Sequence, residues 1–540
     1  MPHPTSYPVL NTKQVIQLEK KLLGQDPKKV RQAMEAVAKA FVGAVLQDFQ
    51  EISPLFPEDA HILVLLGKGH NAGDGLYAVK HILERYPKAS VDIIFAFGKG
   101  ELKPLVQDLW QSLAPHPNIS ILAADLHQLP AVLHALDSKP LWHVCIDAIH
   151  GFSFAPPLAR QTTALLKKIN ALDTILLRAA LDLPSGLTEE ASPLAFRADF
   201  TYLAGSPKLK ALQPLNAPWV GRIRLLDIMF FDTGYTGLSK THLLSKTILN
   251  PLRHLRKPQS YKKDYGHLLL LAGSRAMPGA LIMSAKGALK GGVGLLSIAC
   301  PESLVAALSA ALPEAMWLGL PETPTGFLSE EGLGALKAYL PKVNTLLIGP
   351  GLGQDPATVE LLQGLILHAK QALVLDADAL SAASLKTLKK RTSKAPVYLT
   401  PHIGELRRLL SLENQELKSS KIAKKPQTTE DAPKLLQSLA NQAKAYALLK
   451  GSLSYMTDGQ SLFISPFGGP ILARGGSGDI LSGLLAAIVA QNSVNSIEPL
   501  LQASVWHGLA ADAMAQALGQ RALQTTDLLH FLTQALRTLP

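Results

Sequence analysis

Two cysteines, Cys145 and Cys300, are all the thiol chemistry in a chain of 540 residues, too little for a disulfide framework or a cysteine-rich zinc site. Both stand in apolar, strand-like runs, so buried free thiols in a reducing compartment are expected. The opening stretch MPHPTSYPVLNTKQVIQLEKKLL lacks a basic segment leading into an apolar one and lacks a small-residue cleavage signal. A cytoplasmic location follows as the expectation. Long hydrophobic runs are also missing. The longest uncharged stretch, residues 480–497, is apolar only as far as Gln491 and contains Ser482 and Gly483, short of the ~20 apolar residues that span a bilayer. It reads as a buried helix, with no membrane partner.

Aromatic residues are scarce, at 6%, and none interleave the basic runs at residues 386–394 and 418–425. A stacking surface for single-stranded nucleic acid is therefore excluded, and these runs read as solvated faces. The formal charge of +11 favours an anionic partner or substrate only mildly. There is no sequence period of a repeat array and no G-x-x-x-x-G-K-[ST] loop, so a nucleotide would not be held by a Walker motif.

What is present is 47% hydrophobic sequence in which short β-branched or leucine-rich runs alternate with helical patterns. That alternation predicts α/β architecture, with parallel sheets covered by helices on both faces. Strands are expected at residues 61–66, 91–97, 119–123, 143–147, 177–182, 200–203 and 222–226. A second series follows at 267–272, 294–299, 345–348, 372–376, 397–400 and 445–450. Between the two series, residues 232–250 carry turn and basic residues with little periodicity, which places a domain linker there.

In the second half, GGSGD at residues 475–479 runs directly into the apolar helix ILSGLLAAIVA. Glycines at Gly475, Gly476 and Gly478, with Ser477, leave backbone N–H groups open at a helix N-terminus, where a phosphate can sit without a basic side chain. Asp479 at that mouth could take a proton from a substrate hydroxyl. Alone, the motif is equally a glycine turn with an aspartate cap. Other strand ends add weight. GPGLG (349–353), LVLDADAL (373–380, with Asp376 and Asp378), TPHIGE (400–405, with His402 and Glu405) and LKGS (449–452) all follow expected strands, where open α/β sheets place their ligands.

This ordered series, together with KKDYGHLLLLAGS (262–274), PGALIMSAKGALKGGVGLL (278–296), LPEAM (312–316) and HGLAADAMA (507–515), resembles the ribokinase-like ADP-dependent NAD(P)H-hydrate dehydratase family. The resemblance implies a three-layer ribokinase-like domain over residues 240–540 and a two-step reaction. The 6-hydroxyl of the hydrated nicotinamide cofactor is phosphorylated from ADP, with Mg²⁺, and phosphate is then eliminated. Asp479 would be the base. Lys450, Gly451, Ser452, Leu453, Ser454, Gly475, Gly476, Ser477 and Gly478 would bind the nucleotide, and Ala280, Gly351, His402 and Asp479 the hydrate. Two departures are Arg474, where the family has Thr, and the preceding GGPILA turn; Arg474 could bind phosphate or stand in solvent.

In the first half, GKGHNAGDG (67–75) follows a strand as a glycine turn before the helix LYAVKHILER, without the spacing of a dinucleotide fingerprint. CIDAIHGFSF (145–154) puts Asp147 at a strand end, and ALDLPSGL (180–187) does so for Asp182 and Ser185. Carboxylates and a hydroxyl so placed could hold a hard cation or move protons; singly they could equally cap turns. With SPKL (206–209), these motifs resemble the NAD(P)H-hydrate epimerase domain, implying a Rossmann-like three-layer domain over residues 1–235. By that resemblance Asn71, Asp147 and Ser185 would bind K⁺. Asn71, Asp74, Gly151 and Asp182 would bind the hydrate, with Asp182 catalytic. The departures are His70 for the first Asn of the family motif and Phe152, with Ser153, where the family has Thr-Gly. A bulky residue there is expected to crowd a backbone meant to wrap pyrophosphate.

The expectation is a homo-oligomeric, bifunctional cofactor-repair enzyme acting on NAD(P)H hydrate and ADP. Its rivals are a ribokinase-like vitamin or sugar kinase, and an interaction protein whose first domain is a binding module.

Overall fold

The computed structural model describes residues 4–24, 26–231, 239–411, 431–492 and 494–538. The basic run 418–425 and residues 232–238 of the expected linker lie outside the described residues. The chain divides into two compact units, Met1–Ser239 with Ala515–Gly519, and Lys240–Met514 with Gln520–Pro540.

In the first unit a short strand, β1 (Ser6–Pro8), precedes β2 (His61–Leu66), β3 (Ser90–Phe95), β4 (Ile119–Ala123), β5 (Trp142–Ala148), β6 (Ile175–Leu181), β7 (Phe200–Ala204) and β8 (Arg222–Leu226). The sheet runs β4-β3-β2-β5-β6-β7-β8, with every pair parallel. The run HILVLL shows why both faces must be covered. Alternation sends Ile62, Val64 and Leu66 into one core, with Phe41 and Val45 of the helix Pro27–Phe49 and Leu76 and Val79 of the helix His70–Arg85. It sends Leu63 and Leu65 into the other, with Leu165, Leu166 and Ile169 of the helix Arg160–Ala171. Strand order reverses between β2 and β5, which opens a crevice at their C-terminal ends. Cys145 is buried in the second of these cores, as expected, and Cys300 is buried in the second unit.

The second unit contains β9 (Thr241–Leu244), β10 (His267–Leu271), β11 (Leu295–Pro301), β12 (Met316–Leu320), β13 (Thr345–Ile348), β14 (Ala372–Leu375), β15 (Val397–Leu399), β16 (Tyr446–Leu449), β17 (Ser454–Thr457) and β18 (Leu462–Ser465). Their order is β9-β18-β17-β16-β15-β14-β13-β10-β11-β12. Pairing is parallel except for the hairpins β16–β17 and β17–β18. The reversal of order falls between β13 and β10, so the second crevice opens above those strands.

Two expectations need correction here. The stretch 232–250 is not all linker: β9 pairs with β18, and Ile248 and Leu249 of the following 3-10 helix are buried. The sheet is also not purely parallel, because the strands after LKGS fold back as a meander. The 480–497 stretch is a buried helix only as far as Gln491, where its apolar part ends. Helix Ser477–Gln491 is buried from Ile480 to Ala490, and no described helix is long and apolar enough to cross a membrane. It crosses helix Pro278–Lys290 through glycines: a Cβ at Gly483 would strike the Ser284 carbonyl, and one at Gly287 the Ile480 carbonyl.

Candidate active sites

In the second unit the helix Ser477–Gln491 begins in the crevice. Its N-cap is Gly476, at φ +88°, a left-handed conformation that glycine adopts without strain. No side chain caps this end, and Ser477 N–H donates only to the Arg474 carbonyl at 3.3 Å, so the positive end of the helix dipole has no side-chain partner there. Behind it, neutral His507 donates from Nε2 to the Ser477 carbonyl at 3.1 Å, burial having pushed its imidazole down to about 4. Thr525 donates to the Gly475 carbonyl at 2.9 Å, and Asp512 accepts from Gly468 N–H at 3.1 Å. The GGSGD turn is thus pinned at Gly475 and Ser477, and the segment leading to it at Gly468, while Gly475 itself has open space around it.

Asp479 lies in the first turn. Burial, joined by the negative charge of Asp376, pushes its carboxyl up to about 6, with Lys450 acting against them. Lys450 donates to Asp376 Oδ1 at 2.8 Å, the same oxygen that accepts from the Thr400 hydroxyl at 2.8 Å. Burial works against the ammonium, but the Asp376 charge and hydrogen bond outweigh it and hold the Lys450 pKa above its ordinary value. A Cβ on Gly478 would lie 3.4 Å from Lys450 Nζ, so the lysine and the helix terminus line one space. Gly451 and Ser452 are exposed at the tip between β16 and β17; Leu453 and Ser454 are half-buried, and Ser454 opens β17.

On the other flank Gly351 (φ +67°) and Ala280 meet: a Cβ at Gly351 would stand 3.0 Å from the Ala280 methyl. His402 bridges Lys450 through the backbone, and its Nδ1 accepts from Gly404 N–H at 2.9 Å. Asp378 accepts from Gly353 N–H at 2.8 Å and so shapes the GPGLG loop. Arg474 does not stand free in solvent. Its guanidinium donates to the carbonyls of Leu523, Gln520 and Arg521 at 3.1, 3.0 and 3.2 Å, a clamp between the turn and a distant loop.

In the first unit the helix starts at His70, so HNAGDG is helical rather than a turn ahead of LYAVKHILER. His70 occupies the exposed first position, and Asn71 is the residue that points inward, donating to the His150 carbonyl at 3.0 Å. Asn71 Oδ1 is buried without a hydrogen-bond partner. Asp147, fully buried, accepts from Ser185 Oγ and N–H, both at 2.7 Å, and from Ile149 N–H at 3.2 Å. Burial pushes its carboxyl up to about 6 against those bonds. Ser185 Oγ also accepts from His150 N–H at 2.9 Å. Asn71, Asp147 and Ser185 therefore share one network through residue 150.

Asp182 stands at the end of β6 at φ +69°, an uncommon conformation for a residue with a Cβ and one that strained sites use. Its Oδ1 is 2.6 Å from the buried Lys208 ammonium, and its Oδ2 accepts from Phe152 N–H at 2.9 Å. Gly151 passes beside it, where a Cβ would be 3.2 Å from Asp182 Oδ2 and 3.6 Å from the Asn71 Cβ. Phe152 is not at positive φ; its ring packs with Tyr7, Leu10, Val15 and Leu18, and the Lys208 ammonium stands 5.7 Å from its centroid. Lys210 then fixes this loop by donating to the carbonyls of Phe152 and Phe154, both at 3.1 Å. Asp74 is pushed well above the ordinary carboxyl range by burial and by Asp182 and Glu19.

Sequence reasoning missed four groups at this site: Glu19, His150, Lys208 and Lys210. SPKL was the available signal for Lys208. Nothing in the sequence marked either lysine as buried.

The chain matches the family described as NAD(P)H-hydrate dehydratase over residues 268–534 and the YjeF-related protein N-terminus over residues 30–209. It is similar to the bifunctional NAD(P)H-hydrate repair enzyme Nnr of Moorella thermoacetica, 32% identical over 488 residues, covering 88% of each chain. It is likewise 33% identical over 471 residues to the protein of that name from Gloeobacter violaceus, covering 84% of each. Among solved structures, it is similar to the ADP/ATP-dependent NAD(P)H-hydrate dehydratase of Bacillus subtilis co-crystallized with ATP/Mg²⁺, at 26% identity and a TM-score of 0.42, covering 52% of this chain and 93% of that one.

Proposed function

This chain belongs to the family of bifunctional NAD(P)H-hydrate repair enzymes, and from that premise we propose how its residues divide the work. The first unit interconverts the R and S hydrates, and the second dehydrates the S hydrate at the expense of ADP. The observation that carries the second half is Asp479 in the first turn of an uncapped helix, beside Lys450. Asp479 takes the proton of the 6-hydroxyl, whose oxygen attacks the β-phosphorus of ADP, and AMP departs. The N–H groups of Gly475, Gly476, Ser477 and Gly478 meet the phosphoryl oxygens as charge develops. Phosphate then leaves C6 with its bonding electrons, a proton leaves C5, and NAD(P)H and inorganic phosphate result. Lys450 to Ser454 frame the nucleotide, and Ala280, Gly351 and His402 the hydrate.

Among the described residues no three His, Cys, Asp or Glu side chains form a metal cluster. A magnesium ion would arrive with ADP, since Mg²⁺ keeps waters and takes one or two carboxylates with phosphates; Asp378 would be the carboxylate to meet it, which leaves Asp479 free as the base. In the first unit the unpartnered, buried Asn71 Oδ1 fits a monovalent cation. Asn71, Asp147 and Ser185 would hold K⁺, which would supply positive charge where the pyrophosphate docks. Gly151, Asn71, Asp74 and Asp182 would contact the hydrate.

The test is a mixed R/S hydrate with ADP and Mg²⁺. Complete recovery of dihydronicotinamide absorbance, with AMP and phosphate released in step, is expected. A phosphorylated hydrate that persists would make the chain a kinase, and recovery that halts when the S form is spent would remove the epimerase assignment. Asp147→Ala is expected to abolish epimerisation together with its potassium dependence, with dehydration of the S form unaffected.

A further inference from the structure

We propose that Glu19, on the helix Thr12–Leu23, is the proton donor and acceptor of the epimerase site, working across the pocket from an ionised Asp182. The proposal rests on the epimerase reading above.

The placement of Glu19 follows from how its helix is laid down. Leu10 donates to the Pro207 carbonyl and accepts from Leu209 N–H, both at 2.9 Å, so the segment before the helix is stitched to the backbone on either side of Lys208. Asn11 then caps the helix, and Val15 and Leu18 bury against Phe152 and its neighbours. Glu19 falls one turn after Val15 on that face. The groups that bear on it are Lys208 and Asp182 from the strand ends and Asp74 from the helix His70–Arg85.

These four groups differ in what they are free to do. Asp182 has its charge matched by Lys208 at 2.6 Å and a further bond from Phe152 N–H. Among the described residues, Glu19 and Asp74 make no hydrogen bond or ion pair of their own. Burial pushes Glu19 up to about 7, Lys208 opposing and Asp182 assisting. Burial first, then the charges of Asp182 and Glu19, raise the Asp74 carboxyl above the ordinary range, with Lys208 opposing. An acid that titrates near the working pH is the efficient one, and the Lys208 ammonium at 2.6 Å marks Asp182 as its charged counterpart.

The step balances without a co-reactant. Protonated Glu19 gives its proton to the C6 hydroxyl, the C6–O bond breaks with its electrons going to the departing water, and the N1 lone pair forms a C6=N1 iminium. The ionised carboxylates of Asp182 and Glu19 face that cation. Water re-adds to C6 from the opposite face, on the side of Asp182, which takes its proton; the C=N electrons return to N1, Asp182 passes the proton to solvent, and Glu19 takes one back from solvent. No net atom or electron is gained, and the configuration at C6 is inverted.

The experiment follows the R to S ratio in the full chain without ADP, from pH 5.5 to 9, for wild type, Glu19→Gln and Glu19→Asp. Wild-type epimerisation is expected to decline above about pH 7 as Glu19 ionises. Glu19→Gln should lose roughly 10²- to 10⁴-fold of the rate and the decline with it, Glu19→Asp should restore part of both, and ADP-dependent dehydration of S hydrate should not change. A Glu19→Gln variant with the wild-type rate or the wild-type pH profile overturns the proposal while leaving the epimerase assignment standing. A wild-type chain that does not alter the ratio beyond uncatalysed drift overturns both.

Discussion

At the end of β14, Asp376 shares one oxygen between the Lys450 ammonium and the Thr400 hydroxyl; at the end of β6, Asp182 divides its two oxygens between Lys208 and Phe152 N–H. Both units thus place a lysine-paired aspartate at a strand end, but what surrounds each pair differs. Lys450 leads into an exposed turn and faces a helix terminus that no side chain caps, so the second unit brings an ammonium and helix N–H groups to one space. Lys208 is buried, and beside its pair lie two unbonded carboxyls, Glu19 and Asp74. The first arrangement suits an incoming polyphosphate, and the second suits the movement of a proton with no phosphoryl chemistry at all. Similar parts at equivalent places in two α/β sheets therefore carry different reactions because of the third group brought to each pair.

The comparison breaks most visibly at Asp479. Asp479→Asn is expected to lower dehydration by roughly 10²- to 10⁴-fold while ADP affinity by calorimetry stays close to wild type. The raised carboxyl also fixes a pH dependence. A base must be ionised, so wild-type dehydration should rise with pH through about 6 and level off above it, and the variant's residual rate should lack that limb. Next in size is Lys208→Met. Removing one partner from a buried pair typically costs about 3–5 kcal/mol. Chemical denaturation should show the first unit unfolding earlier and the second unchanged, with epimerisation lost.

Gly478→Val sharpens the contrast from the other side. A Cβ only 3.4 Å from Lys450 Nζ, with two further methyls, has to push into the phosphate space. An overpacking cost of about 1–3 kcal/mol predicts ADP binding weakened by roughly ten- to a hundredfold, with epimerisation intact; unchanged affinity would remove this helix terminus from the nucleotide site. The smallest effect belongs to Arg474→Ala. Its bonds go to three carbonyls and not toward the crevice, so about 1 kcal/mol of stability should go while ADP affinity holds. A large affinity loss would instead mean that the guanidinium swings to phosphate.

The expected strands at residues 61–66, 119–123, 222–226 and 345–348 coincide with β2, β4, β8 and β13; β2 and β13 are dense apolar runs covered on both faces, and the edge strands β4 and β8 are short apolar-rich runs only partly covered. The strands that were not legible lack that signature. SYMT, LFIS and THLL are four residues each, near the sheet edge and carrying polar residues, and their places are fixed by hairpin and cross-strand pairing. Strand ends were legible as positions for chemistry, which is why Asp147, Asp182 and Asp376 stood out, and Asp479 stood out through the glycine turn that opens its helix. Glu19 could not, because its neighbours Lys208 and Asp182 are nearly 190 and more than 160 residues away along the chain. Burial of Lys208 and Lys210 was hidden for a related reason. Lysine is ordinarily exposed, and only the partner that makes burial tolerable reveals the exception.

Helix Ser477–Gln491 is enclosed along its length and locked by close backbone crossing at Gly483 and Gly287. The dipoles aimed at the phosphoryl group are therefore oriented when the chain folds, and they need no rearrangement when the nucleotide arrives. Their orienting entropy is charged to folding and not to binding. The enthalpy of ADP binding should accordingly contain little contribution from ordering this turn, and amide exchange of Ile480 to Ala490 should be equally slow with and without nucleotide.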